Sequence, residues 1–142
     1  MTTILVGEDN PVNRELLREI LENEGYSVVE ASDGEEVLRT LEHAQPHLLL
    51  LDIGMPVMDG FAVARRIREN PRRAGLPIVA VTANAMKGDR AKILDSRFDG
   101  YLSKPVSSRL LFDELNRLLN KSDIPESSKV RERTSRAGND AR

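Results

Sequence analysis

The chain has 142 residues, a formal net charge of −2 and no cysteine. This length is enough for one domain with a core of two or three layers, and the lack of cysteine excludes disulfides and thiolate metal sites. The small net charge gives no reason to expect nucleic-acid binding. No apolar run approaches the roughly 20 residues that span a membrane, and the N-terminus lacks a signal-peptide pattern, so we expect a soluble, cytoplasmic protein.

Strand and helix patterns alternate five times along the sequence up to Leu119. The predicted elements are, in chain order, a strand at about 3–7, a helix from Pro11 to Gly25, a strand at 26–31, a helix from Asp33 to about Ala44, a strand at 48–52, a helix at about 60–69, a strand at 77–82, a helix at 86–96, a strand at 100–103 and a helix after Ser107. Short links between these elements favour an open parallel sheet with helices on both faces.

Several residues mark where the predicted helices begin and end. Asn10 can cap the first helix with Pro11 at its first position, and Gly25 can end it. Asp33 and Glu36 form the pattern of a capping box at the start of the second helix. The helical spacing of the apolar residues agrees with these boundaries.

The segment LLLLD at 48–52 is apolar at four successive positions and ends on Asp52. Such a run predicts a strand that is buried on both faces, so its carboxylate lies where the core ends. Other predicted strands also end at polar groups, namely Glu8 and Asp9, Thr82, and Lys104. Because the carboxyl ends of parallel strands share one edge of the sheet, we expect these groups to converge.

The chemistry of these groups suggests a site for a cation and a phosphoryl group. Three crowded carboxylates, from Glu8, Asp9 and Asp52, repel one another, and a hard divalent cation such as Mg²⁺ relieves that repulsion. An aspartate at this edge can attack a phosphoryl donor and form an acyl phosphate. Lys104 would then neutralise charge on the transferring oxygens, and Thr82 could donate a hydrogen bond to one of them.

Four segments of the chain carry a family resemblance: GEDN at 7–10, LLLLDIGMPVMDG at 48–60, VTANAMKGD at 81–89 and DGYLSKP at 99–105. They resemble, in order and at compatible spacings, the signature segments of the receiver domain of two-component response regulators. The resemblance covers about residues 2–120. It implies a flavodoxin-like (CheY-like), doubly wound α/β fold with a five-stranded parallel sheet of order 2-1-3-4-5 and five helices.

The resemblance also implies roles for individual residues. Asp52 would accept phosphate from the phosphohistidine of a histidine kinase or a histidine phosphotransfer protein. The implied magnesium ligands are Glu8, Asp9, Asp52 and the carbonyl of Gly54, and the implied phosphate contacts are Thr82 and Lys104. Tyr101 matches the aromatic residue that swings inward on activation, which would alter the surface of the fourth helix, fifth strand and fifth helix.

The wording of the motifs is most similar to receivers of hybrid histidine kinases and to single-domain, cell-cycle-type regulators.

Two residues depart from the family pattern. Gly54 stands where such receivers often carry a longer polar side chain; since the side chains at 54 and 84 would flank the water that hydrolyses the acyl phosphate, we expect Gly54 and Asn84 to tune hydrolysis. Arg97 stands where a glycine usually ends the fourth helix, at a cost of roughly 1 kcal/mol if its φ is positive.

Two other functions remain open at this stage. A phosphohydrolase of the haloacid-dehalogenase type would use the same aspartyl nucleophile, but it would carry a second acid at the place of Gly54. A degenerate receiver would act only as a binding module, but it would require a broken site. We therefore expect a phosphoacceptor that catalyses only its own phosphorylation and dephosphorylation.

The domain organisation follows from a change in composition after Asn120. Residues 1–120 form the predicted receiver domain, and the polar tail at 121–142 holds too few apolar residues to offset the entropy of ordering. We expect this tail to be disordered and no output domain to follow. The output would then be contact with a downstream protein target or relay of phosphate.

Two groups of basic residues lie away from the predicted site. We interpret His43 and His47 as surface residues at the opposite edge of the sheet. The sequence also has a dense basic stretch at 65–73, comprising Arg65, Arg66, Arg68, Arg72 and Arg73. It is typical of a solvated helix end, with docking of an acidic partner as the alternative.

Overall fold

The computed structural model describes residues 2–83 and 90–123. This part of the chain contains, in order, β1 (Thr3–Gly7), α1 (Pro11–Asn23), β2 (Ser27–Ala31), α2 (Gly34–Leu41), β3 (Leu48–Asp52), α3 (Gly60–Glu69), β4 (Ile78–Thr82), α4 (Arg90–Asp95), β5 (Gly100–Ser103) and α5 (Ser108–Asp123). Among these helices, none combines the length and the apolar character that crossing a membrane requires.

All neighbouring strands pair in parallel, in the order β2-β1-β3-β4-β5. This order confirms the predicted flavodoxin-like, doubly wound sheet. Every residue of β3 and β4 is buried, because both strands lie inside the sheet and helices cover both of its faces.

The four leucines of β3 contribute to two separate cores. Leu49 and Leu51 pack on the face that carries α2, α3 and α4, whereas Leu48 and Leu50 pack on the face that carries α1 and α5. Successive side chains of a strand point to opposite faces, so a strand with a core on each side is apolar at every position.

The predicted signals at helix ends are present with one change. The side chain of Asn10 accepts hydrogen bonds from the N–H groups of Val12 and Asn13, and Gly25 follows α1 with a φ of 94°. Asp33 caps α2 through the N–H of Glu36. The carboxylate of Glu36, however, accepts from the N–H and hydroxyl of Ser32, so the second bond of the capping box is shifted by one residue.

Some element boundaries differ from the predicted ones. Helix α2 ends at Leu41, three residues early, because shorter-range bonds tighten its last turn and Pro46 lies shortly beyond it. Helix α5 continues to Asp123, so the first three residues of the predicted tail are helical. Of the predicted fourth helix, residues 86–89 lie outside the described residues, as do Asn84 and the tail after residue 123.

Candidate functional site

Three carboxylates meet at the carboxyl edge of the sheet. The register pairs Gly7 of β1 with Leu51 of β3, so the residues that follow these two positions emerge side by side. One oxygen from each of Glu8, Asp9 and Asp52 lies within 4.8 Å of the others. Glu8 and Asp52 are buried, whereas Asp9 is exposed. The site is therefore an acidic pair in the sheet with a third carboxylate open to solvent.

Both carboxylate oxygens of Asp52 are held by hydrogen bonds. The Nζ of Lys104 donates to Oδ2 at 3.1 Å, and the backbone N–H of Gly54 donates to Oδ1 at 2.9 Å. Lys104 follows β5, and its own N–H donates to the carbonyl of Thr82 at the end of β4. The fixed backbone thus places the ammonium over Asp52, a charge-assisted contact that orients the carboxylate.

Glu8 is less well satisfied than Asp52. Its Oε2 accepts from the N–H of Asn10 at 3.1 Å. Its Oε1 is buried and forms no hydrogen bond with the described residues, although the Nζ of Lys104 lies 3.2 Å away. The ion pair with Lys104 offsets part of the cost of burying this oxygen, and a cation bound beside it would offset more.

The electrostatics of the site also favour added positive charge. Burial raises the pKa of Glu8, and the charge of Asp52 raises it further, while the N–H of Asn10 and the ammonium of Lys104 oppose this shift. Burial disfavours the charged form of Lys104, but the hydrogen bond and charge of Asp52 and the charge of Glu8 raise the pKa of Lys104 overall. Lys104 is the only cation among the described residues that line this cleft.

A cleft of about 510 Å³ joins these groups, and we call it the Asp52 cleft. The predicted site residues that line it are Glu8, Asp9, Asp52, Gly54, Thr82 and Lys104. Thr82 is buried at the end of β4. Tyr101 is half-buried and packs against the core that carries α4, so it is not among the residues that line the cleft.

Asn13 and Phe61 also line the Asp52 cleft, and sequence reasoning did not assign them to it. Asn13 lies three residues after the capping Asn10, so the first turn of α1 brings it back to the same side. That spacing is a usable signal. Phe61, the second residue of α3, carries no comparable one, because its pattern is that of a core residue.

The donor set of the cleft fits a divalent cation that prefers oxygen ligands. Three carboxylates converge, one of their buried oxygens is without a hydrogen bond, and a single ammonium leaves the charge negative. Mg²⁺ accepts a few carboxylates of this kind and shares its remaining positions with water and phosphate oxygens.

Comparison with known proteins identifies the family of the chain. The family model described as "Response regulator receiver domain" matches residues 4–116. The polar-differentiation response regulator DivK of Brucella anthropi is 34% identical over 105 residues, which are 74% of this chain and 85% of DivK. Hybrid signal transduction histidine kinase I of Dictyostelium discoideum is 37% identical over 120 residues, which are 80% of this chain but only 7% of that kinase.

A solved structure gives the same result for the fold. The receiver domain of sensor histidine kinase PA1611 from Pseudomonas aeruginosa PAO1, which has a magnesium ion coordinated in its active site cleft, superposes with a TM-score of 0.79. The two sequences are 36% identical, and the match covers 84% of this chain and 98% of that domain. With the family model matching most of its length, this chain belongs to the response regulator receiver domain family.

Proposed function

We propose that this receiver domain accepts a phosphoryl group on Asp52 from the phosphohistidine of a histidine kinase or a histidine phosphotransfer protein, with Mg²⁺ as cofactor. The observation that carries the proposal is the environment of Asp52. Its two oxygens are oriented by Lys104 and by the N–H of Gly54, at the wall of a cleft that other carboxylates line.

In the transfer step, a carboxylate oxygen of Asp52 attacks phosphorus while the bond from phosphorus to the imidazole nitrogen breaks. The leaving imidazole keeps the electron pair, and Asp52 becomes an acyl phosphate. The ammonium of Lys104 neutralises charge on the transferring oxygens, and the hydroxyl of Thr82 donates a hydrogen bond to one of them.

Glu8, Asp9, Asp52 and the carbonyl of Gly54 would hold Mg²⁺, which would supply positive charge to the phosphoryl oxygens. Support comes from the buried Oε1 of Glu8, which forms no hydrogen bond with the described residues and has only the ion pair with Lys104, and from the convergence of the three carboxylates. The PA1611 receiver domain, similar in sequence and fold, has magnesium in its active site cleft.

The signal would leave the domain through a change of surface. An acyl phosphate on Asp52 would draw the hydroxyl of Thr82 inward, and Tyr101 would fill the vacated space. Tyr101 pairs with Ala80 across β4 and β5 and packs on the side of α4, so its movement would alter the surface of α4, β5 and α5. That surface would bind a downstream protein target.

The switch can be tested with beryllofluoride, which mimics the acyl phosphate. We expect its addition with Mg²⁺ to shift backbone NMR signals both in the Asp52 cleft and along β5 and α5. Moving such an equilibrium requires a few kcal/mol of differential interaction, within reach of a charge-assisted hydrogen bond and a lysine contact. Shifts confined to the cleft would contradict the switch.

A second role for the same site is relay of phosphate from Asp52 to a histidine phosphotransfer protein. The similarity to the hybrid kinase favours this role over hydrolysis of an external phosphoester. A phosphohydrolase would need a second acid where Gly54 stands. Transfer of labelled phosphate from Asp52 to an isolated phosphotransfer domain would distinguish relay from simple phosphoacceptance.

The central test is phosphorylation by acetyl phosphate in the presence of Mg²⁺, measured as mass gain. We expect the protein to take up one phosphate and the Asp52→Asn variant to take up none. Asp59→Asn is the matched control, because Asp59 follows β3 in the same loop and caps α3, a role that asparagine can fill. Retention of the mass gain in Asp52→Asn would refute the assignment.

A further inference from the structure

A second cleft, of about 630 Å³, lies at the amino edge of the sheet, where the chain enters β3 and β4. It is larger than the Asp52 cleft and is formed by the end of α2, the segment before β3 and the segment between α3 and β4. Clefts of roughly 300 to 1,000 Å³ are typical of small-molecule sites. We call it the amino-edge cleft.

Basic and hydrogen-bond-donating side chains line the amino-edge cleft. They are His43, His47, Arg72 and Arg73, and Glu42 is the only carboxylate among the described residues that line it. Its charge is therefore opposite in sign to that of the Asp52 cleft.

The two arginines of this cleft, like Arg39, Arg65, Arg66, Arg97 and Arg109, are in no ion pair with the described residues, but only these two line one cleft together. Arg14, Arg18, Arg68 and Arg117 are each in an ion pair. The guanidinium groups of Arg72 and Arg73 make neither a hydrogen bond nor an ion pair with the described residues. Only their backbone N–H groups are used, in bonds to Asn70. Ten N–H donors of the two guanidinium groups are thus available to a ligand.

His47 adds a donor with a defined tautomer. Its Nδ1 accepts the backbone N–H of Thr3 at 3.0 Å, so in the neutral ring the proton is on Nε2. The hydrogen bond also holds the ring in place at the start of β3. Pro46 and Pro77, whose φ angles are restricted, flank the cleft on the two incoming segments. The ring of His47 and the backbone at the two prolines are therefore restrained.

We propose that the amino-edge cleft binds a phosphate-bearing small molecule. The guanidinium groups of the consecutive residues Arg72 and Arg73, which both line the cleft, offer more donors than the two oxygens of one carboxylate can accept, whereas a phosphate presents three or more acceptor oxygens. His43 and His47 add imidazole N–H donors to the lining. The size of the cleft and the convergence of three chain segments favour a small ligand over an extended acidic peptide. This site is independent of phosphorylation at Asp52.

The test uses the full chain and two probes, pyrophosphate and adenosine diphosphate, in buffer without Mg²⁺ so that binding at the Asp52 cleft is disfavoured. We expect saturable NMR shifts at residues 41–47 and 72–77. Tighter binding of the nucleotide would identify a nucleoside phosphate as the preferred class, and equal binding would identify the phosphate group alone. Absence of saturable binding, or shifts confined to the Asp52 cleft, would overturn the proposal.

Two double variants make the test specific. Arg72→Gln with Arg73→Gln should weaken binding at least tenfold. Arg65→Gln with Arg66→Gln removes the same charge from the exposed face of α3, outside the cleft, and should leave affinity within twofold. Equal weakening in both would show general charge attraction and overturn the proposal.

Two single variants extend the test to the other walls of the cleft. His43→Gln, at an exposed position, should weaken binding severalfold, and Glu42→Gln should strengthen it by removing the carboxylate. If the arginine double variant failed to fold, these two would decide the question. Unchanged affinity in both would then overturn the proposal.

Discussion

The buried charged groups at the two ends of the sheet differ in whether the protein itself supplies all of their hydrogen-bond partners. At the carboxyl edge, the Asp52 cleft holds three carboxylates against one ammonium and leaves Oε1 of Glu8 without a hydrogen bond. Near the amino edge, the guanidinium of Arg68 is nearly buried but donates to the carbonyls of Ala74, Leu76 and Arg97 and to the carboxylate of Asp99. We call these five residues the Arg68 cluster.

The contrast separates charges that stabilise the fold from charges that prepare a site. In the Arg68 cluster, Asp99 also accepts the N–H of Ile78, so both charged partners are satisfied by the protein itself. In the Asp52 cleft, Oε1 of Glu8 has an ion pair with Lys104 but no hydrogen bond with the described residues, and the three converging carboxylates could hold a cation. Substitutions that remove the charged side chains of Arg68 or Asp99 should therefore reduce stability and spare ligand binding, whereas removal of a carboxylate from the cleft should weaken ligand binding and spare stability.

The largest expected effect on stability is at Arg68. Arg68→Ala removes the donor to three carbonyls and leaves the carboxylate of Asp99 with the N–H of Ile78 but without its charged partner, so we expect the free energy of unfolding to fall by about 3 kcal/mol. Urea denaturation would measure it. Arg65→Ala, on the exposed face of the same helix, is the control and should change stability by less than about 0.5 kcal/mol. Equal losses in the two variants would contradict the structural role of Arg68.

At the other end, Asp9→Ala should weaken Mg²⁺ binding more than tenfold, equivalent to about 1.4 kcal/mol. Without metal, the free energy of unfolding should be unchanged or up to about 1 kcal/mol higher, because one of three crowded carboxylates is removed. Calorimetric titration and urea denaturation would measure the two effects, with Asp59→Asn as control. Unchanged Mg²⁺ affinity would show that Asp9 is not a ligand.

Gly54 provides a smaller kinetic test at the cleft. Among the described residues, a Cβ built on Gly54 meets only Oδ1 of Asp52, at an ordinary contact distance of 3.5 Å. Gly54→Met should obstruct the approach of water without changing the proposed carbonyl ligand. We expect dephosphorylation to slow severalfold, about 1 kcal/mol in the barrier. Loss of phosphate over time, with saturating Mg²⁺, measures this rate, and equal or faster decay in the variant would show that a side chain at position 54 does not obstruct the water.

The smallest expected effect is at Arg97, within the Arg68 cluster. Arg97 has a φ of 67°, so it adopts the left-handed conformation that glycine tolerates better. Arg97→Gly keeps the carbonyl that Arg68 binds and should raise the free energy of unfolding by up to about 1 kcal/mol. Ser96→Gly is the control, since Ser96 has no positive φ, and it should be neutral or destabilising. Thermal unfolding of both variants would measure their difference in stability. A destabilised Arg97→Gly variant would contradict the expected relief of strain at this residue.

Much of the fold and of the Asp52 cleft could be predicted from the sequence. The apolar runs of β1, β3 and β4 end at Glu8, Asp52 and Thr82, and parallel pairing brings such ends to one edge whatever the details of packing. Helix ends at Asn10 and Gly25 were predictable for a similar reason, because caps depend on neighbouring residues.

Features that depend on contacts between distant segments could not be predicted from the sequence and are visible only in the tertiary structure. Arg68 belongs to a basic stretch that is typical of a solvated helix end, yet its side chain is nearly buried. Local pattern could not predict this, because its partners Arg97 and Asp99 lie 29 and 31 residues further along the chain. The hydrogen bond from the N–H of Thr3 to His47 and the amino-edge cleft likewise depend on segments that are distant in the sequence. Local pattern determines where strands end and which polar groups meet there; the packing of loops decides which of the remaining charges find partners and which stay available for a ligand.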